Sequence, residues 1–138
     1  MLKSPFKDSP FTPKISYILA ALSIYDLEEI KGEALWAYDP NSSKDREIII
    51  KNYILDDLLY LSYRHRFILM SMLKDALDST KFDFAKEFES DYDEHITIAW
   101  DETEIADPRG FFADIYRLAN EVWRDDLHKA SLEDQSTW

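Results

Sequence analysis

The sequence predicts a mainly α-helical fold, a single-domain helical bundle of about five to six helices. The chain has 138 residues, of which 46% are hydrophobic and 14% aromatic, so it is long and apolar enough for one domain with its own core. Only two glycines occur, at Gly32 and Gly110, which disfavours turn-rich β folds and Gly-rich phosphate loops. Apolar residues recur at three- and four-residue spacing, which is the period of an α-helix.

Three parts of the chain are distinguished by composition. Residues 1–13 contain three prolines and are predicted to form an extended arm, because proline fixes φ and removes a hydrogen-bond donor. Residues 14–130 are predicted to form the single helical domain. Residues 131–138 are expected to form a C-terminal tail that frays.

Two long helical regions make up the first half of the domain. In residues 14–38 the apolar spacing changes phase near Asp26, which predicts two helices or one kinked helix, with Asp26 as an N-cap of the second piece. Residues 44–78 follow the serines at 42–43, which are good caps. About 35 residues is long for one globular helix, so we expect a break near residues 63–66.

The second half is predicted to contain a short helix, an extended segment and a long helix. The short helix covers about residues 81–91. Residues 95–100 alternate in polarity, which favours a short strand and an extended loop about equally. The last helix starts at Asp107 as N-cap with Pro108 in its first turn, and it is expected to end near Lys129.

Negative charge is concentrated in residues 75–107, which we call the acidic segment. Twelve acids and two lysines give it a net charge of −10, out of −12 for the whole chain. Such a field attracts basic partners over long range. The acids are Asp75, Asp78, Asp83, Glu87, Glu89, Asp91, Asp93, Glu94, Asp101, Glu102, Glu104 and Asp107.

The acidic segment supplies the candidate binding residues. On a helix, the spacing of Asp83, Glu87, Asp91 and Glu94 would place them in one stripe. The aromatic residues beside the acids are candidates for exposed anchors of a buried contact. We expect the main contact surface within residues 81–104. The predicted partner-binding residues are Asp83, Glu87, Asp91, Tyr92, Asp93, Glu94, Trp100, Asp101, Glu102 and Glu104.

Several functional classes are disfavoured by the sequence. The chain has no cysteine, and its three histidines, His65, His95 and His128, show no metal-binding spacing, so we expect no metal and no cofactor. No nucleophile elbow, P-loop or dinucleotide fingerprint occurs, which predicts that the protein is not an enzyme. A pI of about 4.5 disfavours binding to nucleic acid and to anionic membranes. The absence of cysteines and of a secretory signal leads us to expect a cytoplasmic protein.

One basic cluster, Arg64-His65-Arg66, lies within the second helical region. An anion site or an interface is one interpretation. The other, which we favour, is that these side chains pair with carboxylates of the same domain, because a charge of −12 needs internal relief.

The chain resembles bacterial toxin-immunity proteins, such as the immunity partners of contact-dependent inhibition toxins and of nuclease bacteriocins. The resemblance lies in small size, acidic charge, absence of cysteine and helical design, and it extends over the whole chain without a diagnostic motif. It implies a cytosolic protein that binds a cognate basic toxin domain, here expected to be a nuclease, and blocks it. No family residues are transferred by this resemblance.

Two other functions fit the same charge pattern. A nucleic-acid-mimicking phage antagonist of a DNA-binding protein would use the carboxylates in place of phosphates. Such a mimic should spread its acids along the molecule, whereas here they occupy one quarter of the chain. A non-enzymatic helical adaptor would use them only for solvation.

Overall fold

The fold is mainly α-helical, as predicted, in the computed structural model, which describes residues 1–91 and 93–138. Helix of all kinds, α, 3₁₀ and π together, covers 58% of the chain, and no strand or sheet occurs in the described part. The five α-helices are α1 (Glu33–Trp36), α2 (Ser43–Ile49), α3 (Tyr63–Asp78), α4 (Pro108–Val122) and α5 (Arg124–Ser131). Short 3₁₀ turns lie at Ile15–Tyr17, Ala20–Leu22, Leu58–Tyr60, Phe84–Phe88 and Gln135–Thr137, and π turns at Glu28–Gly32 and Ile50–Leu55.

The N-terminal arm folds back on itself instead of remaining extended. Lys3 and Pro10 form an antiparallel bridge, and the Phe11 N–H donates to the Leu2 carbonyl over 2.9 Å. The arm is attached to α3 through His65, whose ring meets Phe11 edge-on at 4.7 Å and whose Nε2 lies 2.6 Å from the Lys3 carbonyl oxygen.

The predicted helix at the start of residues 14–38 is replaced by two separate 3₁₀ turns. Residues 22–24 are not α-helical because their backbone pairs with the segment near residues 95–100. The Ile24 N–H donates to the Thr97 carbonyl at 2.7 Å, and the Ala99 N–H donates to the Leu22 carbonyl at 2.8 Å. Asp26 does not cap the next piece, because it takes a left-handed conformation with φ of 58°. The segment predicted to be extended near residues 95–100 is therefore paired here with residues 22–24 through isolated bridges.

The predicted break in residues 44–78 is found slightly earlier than expected. The Ser42 hydroxyl accepts from the Asp45 N–H and starts α2, which continues through the Ile50–Leu55 π turn. The chain then turns extended at Leu61, and the Ser62 hydroxyl accepts from the His65 N–H at the start of α3. The N-cap at Ser62 therefore separates α3 from the helical segment that begins with α2.

The core lies where α3, α4 and α5 pack together beneath the Phe84–Phe88 turn. Four buried phenylalanines join the turn to α4: Phe84 and Phe112 have ring centroids 4.8 Å apart, and Phe88 meets Phe111 edge-on at 5.5 Å. Aromatic pairs in such geometries stabilise a core beyond their buried area. This contact fixes the start of the acidic segment against the rest of the domain.

The last predicted helix forms but divides in two. Asp107 is the N-cap, as predicted, accepting from the Gly110 N–H over 2.9 Å. Trp123, with φ of −103° and ψ of 22°, interrupts the helix between α4 and α5. The tail does not fray as expected, because Trp138 is only 7% exposed and packs edge-on against Phe67 at 5.9 Å.

The two arginines of the basic cluster pair with carboxylates of the same domain, as the favoured interpretation predicted, whereas His65 contacts the N-terminal arm. The Arg64 Nε lies 2.9 Å from a Glu133 carboxylate oxygen, and the Arg66 Nη2 lies 3.0 Å from Asp126. Both partners come from the C-terminal part of the chain and not from the acidic segment.

Within residues 1–91 and 93–138, no helix has the length and apolar character needed to cross a membrane.

Candidate protein-binding groove

The aspartates of the acidic segment shape its loops. Each of four accepts a backbone N–H a few residues further along the chain, which is how aspartate stabilises turns and helix starts. The pairs are Asp83 with Ala85 at 3.1 Å, Asp91 with Asp93 at 3.1 Å, Asp101 with Thr103 at 2.9 Å and Asp107 with Gly110 at 2.9 Å. These four carboxylates therefore hold the loops in place.

The predicted stripe of Asp83, Glu87, Asp91 and Glu94 on one helix face is wrong. The helical turn ends at Phe88, and the next residue is extended with ψ of 142°. Asp91 then pairs with Ile96 through two backbone hydrogen bonds of 2.8 Å. Glu87, Asp91 and Glu94 are nevertheless brought together, because all three line one groove.

Two adjoining hollows form this groove, which we call the acidic groove. They run beside the Ile15–Tyr17 turn, have volumes of about 620 and 560 Å³, and share Lys14, Ser16 and Glu87 in their linings. The larger hollow also contains Tyr17, Leu19, Ala20, Ser23, Lys86, Glu89, Asp91, Glu94, Ile96 and Ile98. The smaller also contains Ile15, Met72, Asp75, Ala76, Ser79 and Phe82.

The groove therefore combines apolar lining with acidic side chains. The larger hollow has four carboxylates and two lysines in its lining, and the smaller has two carboxylates and one lysine. Neither Lys14 nor Lys86 lies within ion-pair distance of a carboxylate of the described residues. The two lysines therefore offset part of the charge without forming ion pairs, and the groove keeps a net negative charge.

Charge compensation is sparse along the entire acidic segment. Of its twelve acids, only Asp78 forms an ion pair with a described residue, Lys74, at 2.8 Å. The remaining ion pairs of the described chain lie outside the segment. A carboxylate without a nearby cation contributes fully to the field outside the protein.

Glu87 lies where the two hollows meet. It is half-buried, and burial raises the pKa of its carboxyl group above the usual value of 4.5. Among the described residues, its carboxylate has neither a hydrogen-bond donor nor an ion-pair partner at bonding distance. A carboxylate in this position is stabilised by any cation that reaches it, since burial without a partner disfavours its charged form.

The predicted aromatic anchors do not both take part in this surface. Trp100 is 4% exposed, so its proposed role as an exposed anchor is wrong. Its ring belongs to the hydrophobic core, and the backbone beside it is held by Trp36, whose Nε1 donates to the Ala99 carbonyl at 2.7 Å. Tyr92 lies outside the described residues.

The other predicted acids form a separate loop. Thr103 donates from its hydroxyl and its N–H to Asp101, which lowers the pKa of that carboxyl group, and Glu104 accepts from the Asp101 N–H at 3.1 Å. Asn41 anchors this loop by donating to the Glu104 carbonyl at 2.8 Å. Asp101, Glu102 and Glu104 do not line the acidic groove, while the exposed Asp93 lies in the loop beside it.

Other features of the described residues form no metal-ion site. No group of three or more His, Asp or Glu side chains is placed to hold a metal ion among them. His95 packs edge-on against Tyr25 at 4.9 Å. A hollow of about 670 Å³ between α3, α4 and α5 is slightly larger than either half of the groove, but Lys74, Arg124 and His128 in its lining give it no excess of negative charge.

Comparisons of the chain with protein families, with curated proteins and with solved structures found no match. The function is therefore inferred from the residues and geometry described above. The acidic groove is the feature of this molecule that best identifies a kind of ligand. It suits a chain segment with both basic and apolar side chains.

Proposed function

We propose that the protein is an immunity-type inhibitor that binds and neutralises a cognate basic bacterial toxin, with a nuclease as the expected toxin class. The observation that supports this most is the uncompensated charge of the acidic segment beside an apolar-lined groove. Among the described residues, one of twelve carboxylates is paired with a cation. A basic protein surface supplies the missing cations, and the apolar lining supplies a contact that excludes water.

In such an inhibitor, charge and apolar contacts act on different rates of binding. Charge attraction accelerates the encounter, toward about 10⁸–10⁹ M⁻¹s⁻¹ at low salt for steered pairs. Apolar contacts in the groove slow dissociation, and most affinity differences between related complexes arise there. A nuclease presents a basic groove for phosphates, and a bound acidic protein would exclude the nucleic acid from it.

The apolar lining favours a protein ligand over simple phosphate mimicry. A mimic needs its carboxylates on an open face at phosphate-like positions. Here Asp83, Asp101 and Asp107 are occupied with backbone N–H groups, and Glu87 is half-buried. A helical adaptor, by contrast, would bind its partner equally well after the groove acids are neutralised.

The test is capture of partners by tagged protein from lysate of its own source cells, washed at low salt and at about 0.5 M salt, with mass spectrometry of what remains. The groove variant is Glu87→Gln with Glu89→Gln and Glu94→Gln, which neutralises three groove acids and leaves the loop-forming aspartates intact. Its matched control changes Glu28, Glu29 and Glu33 to Gln, three exposed acids in the Glu28–Gly32 π turn and at the first residue of α1 that belong to no described ion pair.

The expected result is one basic protein that is toxic when expressed alone and harmless when co-expressed with this protein. The groove variant should associate with it about tenfold more slowly at low salt, with a flatter salt dependence, whereas the control should change the rate far less. If the captured partner is not toxic, or if both variants lose binding equally, the inhibitor proposal is wrong.

A further inference from the structure

We infer that the acidic groove holds an extended segment of the basic partner, with an arginine side chain on Glu87 and an apolar side chain in each hollow. This inference rests on the proposed function and deepens it, since it names the part of the partner that is recognised. It is argued from the position of Glu87, from the lining of the two hollows and from their charge.

Glu87 is placed to receive a cation from outside the protein. It lines both hollows, so a side chain that enters at their junction reaches it from the groove. The nearby Lys14 lines both hollows as well, but it does not pair with Glu87 within 4 Å. An arginine guanidinium suits this position because it binds a carboxylate through two parallel hydrogen bonds and is less strongly hydrated than a lysine ammonium.

The hollows on either side of Glu87 are apolar where they are deepest in the fold. In the smaller hollow Ile15 and Ala76 are buried, with Met72 and Phe82 half-buried beside them. In the larger hollow Leu19 and Ile98 are buried. Apolar side chains of a bound segment would contact these surfaces. Successive side chains of an extended chain point to opposite sides, so the apolar and basic residues that enter one groove occupy every second position.

The two hollows differ in charge, which determines at which end of the segment its further basic residues lie. The larger hollow has the additional carboxylates Glu89, Asp91 and Glu94, while the smaller adds only Asp75. Further basic residues of the segment therefore belong on the side of the larger hollow. A second copy of this chain is a poor occupant of the groove, because its charge of −12 would be repelled there.

The experiment uses the full-length protein and fluorescein-labelled eight-residue peptides, read by fluorescence anisotropy at about 150 mM salt. In one peptide, leucine and arginine take turns at every second position, with serine at the positions between them. In the second, serine replaces each leucine, so the two peptides have the same charge. The protein variants are Glu87→Gln and, as a matched control, Glu102→Gln, which removes an equivalent charge from an exposed position outside the groove.

The leucine–arginine peptide should bind at least about tenfold more tightly than the serine–arginine peptide, since its apolar side chains are buried on binding. Glu87→Gln should weaken this binding about tenfold, and Glu102→Gln less than about twofold. In amide NMR spectra, the peptide should shift the signals of Ser16 and Glu87 more than those of residues 101–104. Circular dichroism checks that both variants are folded.

Three results with the peptides would overturn the inference. They are equal affinity for the two peptides, equal losses from the two variants, and NMR shifts centred on residues 101–104. Any of them means that the acids act as a diffuse field. Capture of a toxic basic partner would survive such a result, so failure of this inference is distinguishable from failure of the proposed function. Self-association of the free chain with the groove covered would also refute it.

Discussion

The ion pair between Arg66 and Asp126 allows a quantitative test of how α3 is held to α5. Arg66 is 8% exposed, and its guanidinium lies over the Trp123 ring, 4.9 Å from the ring centroid. The Asp126 side chain, at 3.0 Å from Arg66 Nη2, is 51% exposed. Removing Asp126 leaves a cation in the protein interior without its counter-charge, whereas the carboxylate is already well hydrated.

We expect Asp126→Ala to lower the free energy of unfolding by about 2 kcal/mol. The value lies between the roughly 0–1 kcal/mol of exposed ion pairs and the roughly 3–5 kcal/mol lost when a fully buried charge loses its partner, because Asp126 is half exposed. Adding Arg66→Met removes the buried charge, and methionine packs well on an aromatic ring. The double variant should therefore recover about 1 kcal/mol relative to Asp126→Ala alone.

The assay is urea unfolding followed by far-ultraviolet circular dichroism, which does not depend on the fluorescence of Trp123. Asp125→Ala is the control, since Asp125 also lies in the first turn of α5 but forms no ion pair with a described residue. It shares the favourable effect of an acid at a helix N-terminus, so the difference between the two alanine variants isolates the pair. If the double variant is less stable than Asp126→Ala alone, Arg66 stabilises the fold mainly by other contacts and the reasoning is refuted.

Three further predictions concern single positions. A Cβ at Gly110 would lie 2.2 Å from Asp107 Oδ2, so Gly110→Ala should displace the Asp107 cap, and this loss should offset the higher helix propensity of alanine. In an Asp107→Ala background, where no cap is lost, Gly110→Ala should raise the free energy of unfolding by up to about 1 kcal/mol in urea titrations. Trp138→Ala should lower that free energy by about 2 kcal/mol, because the ring is buried against Phe67, and a loss below about 0.5 kcal/mol would contradict this. Burial raises the pKa of Glu87 because it disfavours the charged carboxylate. The stability that the protonated carboxyl group contributes is fully present below the unfolded-state pKa of 4.5 and is lost as pH rises through the folded-state pKa. Glu87→Gln should therefore raise the thermal midpoint at pH 7 and not at pH 3.

Capping residues were the part of the fold most readable from the sequence. Ser42 and Asp107 act as the predicted caps, and the break before α3 lies at Ser62, close to the predicted range. Such signals are local, because the side chain and the N–H it binds are within a few residues. They hold where the local backbone allows the cap, and they failed at Asp26, whose backbone is left-handed.

The first region shows what periodicity cannot decide. The apolar residues Ile15, Ile18, Leu19 and Leu22 are all buried, as their spacing indicated. The backbone that holds them is nevertheless not α-helical, because residues 22–24 pair with a segment more than 70 residues away. Burial can be satisfied by more than one backbone path, and the choice was made by a distant partner.

The site was only partly predictable for the same reason. Concentrated charge drew attention to Glu87, Asp91 and Glu94, which share a groove. The groove lining, including Leu19 and Ile98, comes from segments whose proximity has no local signal. The acids beside Trp100 in the chain favoured a surface position, but the ring belongs to the hydrophobic core, which is built from distant segments that sequence spacing does not report.

The negative charge of the acidic segment has two separable origins. The aspartates at 83, 91, 101 and 107 bind backbone N–H groups and would be needed for these loops even without a partner. The side chains of Glu87, Glu89, Glu94 and Glu102 make no hydrogen bond or ion pair with described residues, so fold stability does not account for them. Neutralising the glutamates therefore tests function, whereas neutralising these aspartates would unfold loops and give a loss of binding with no information about the interface.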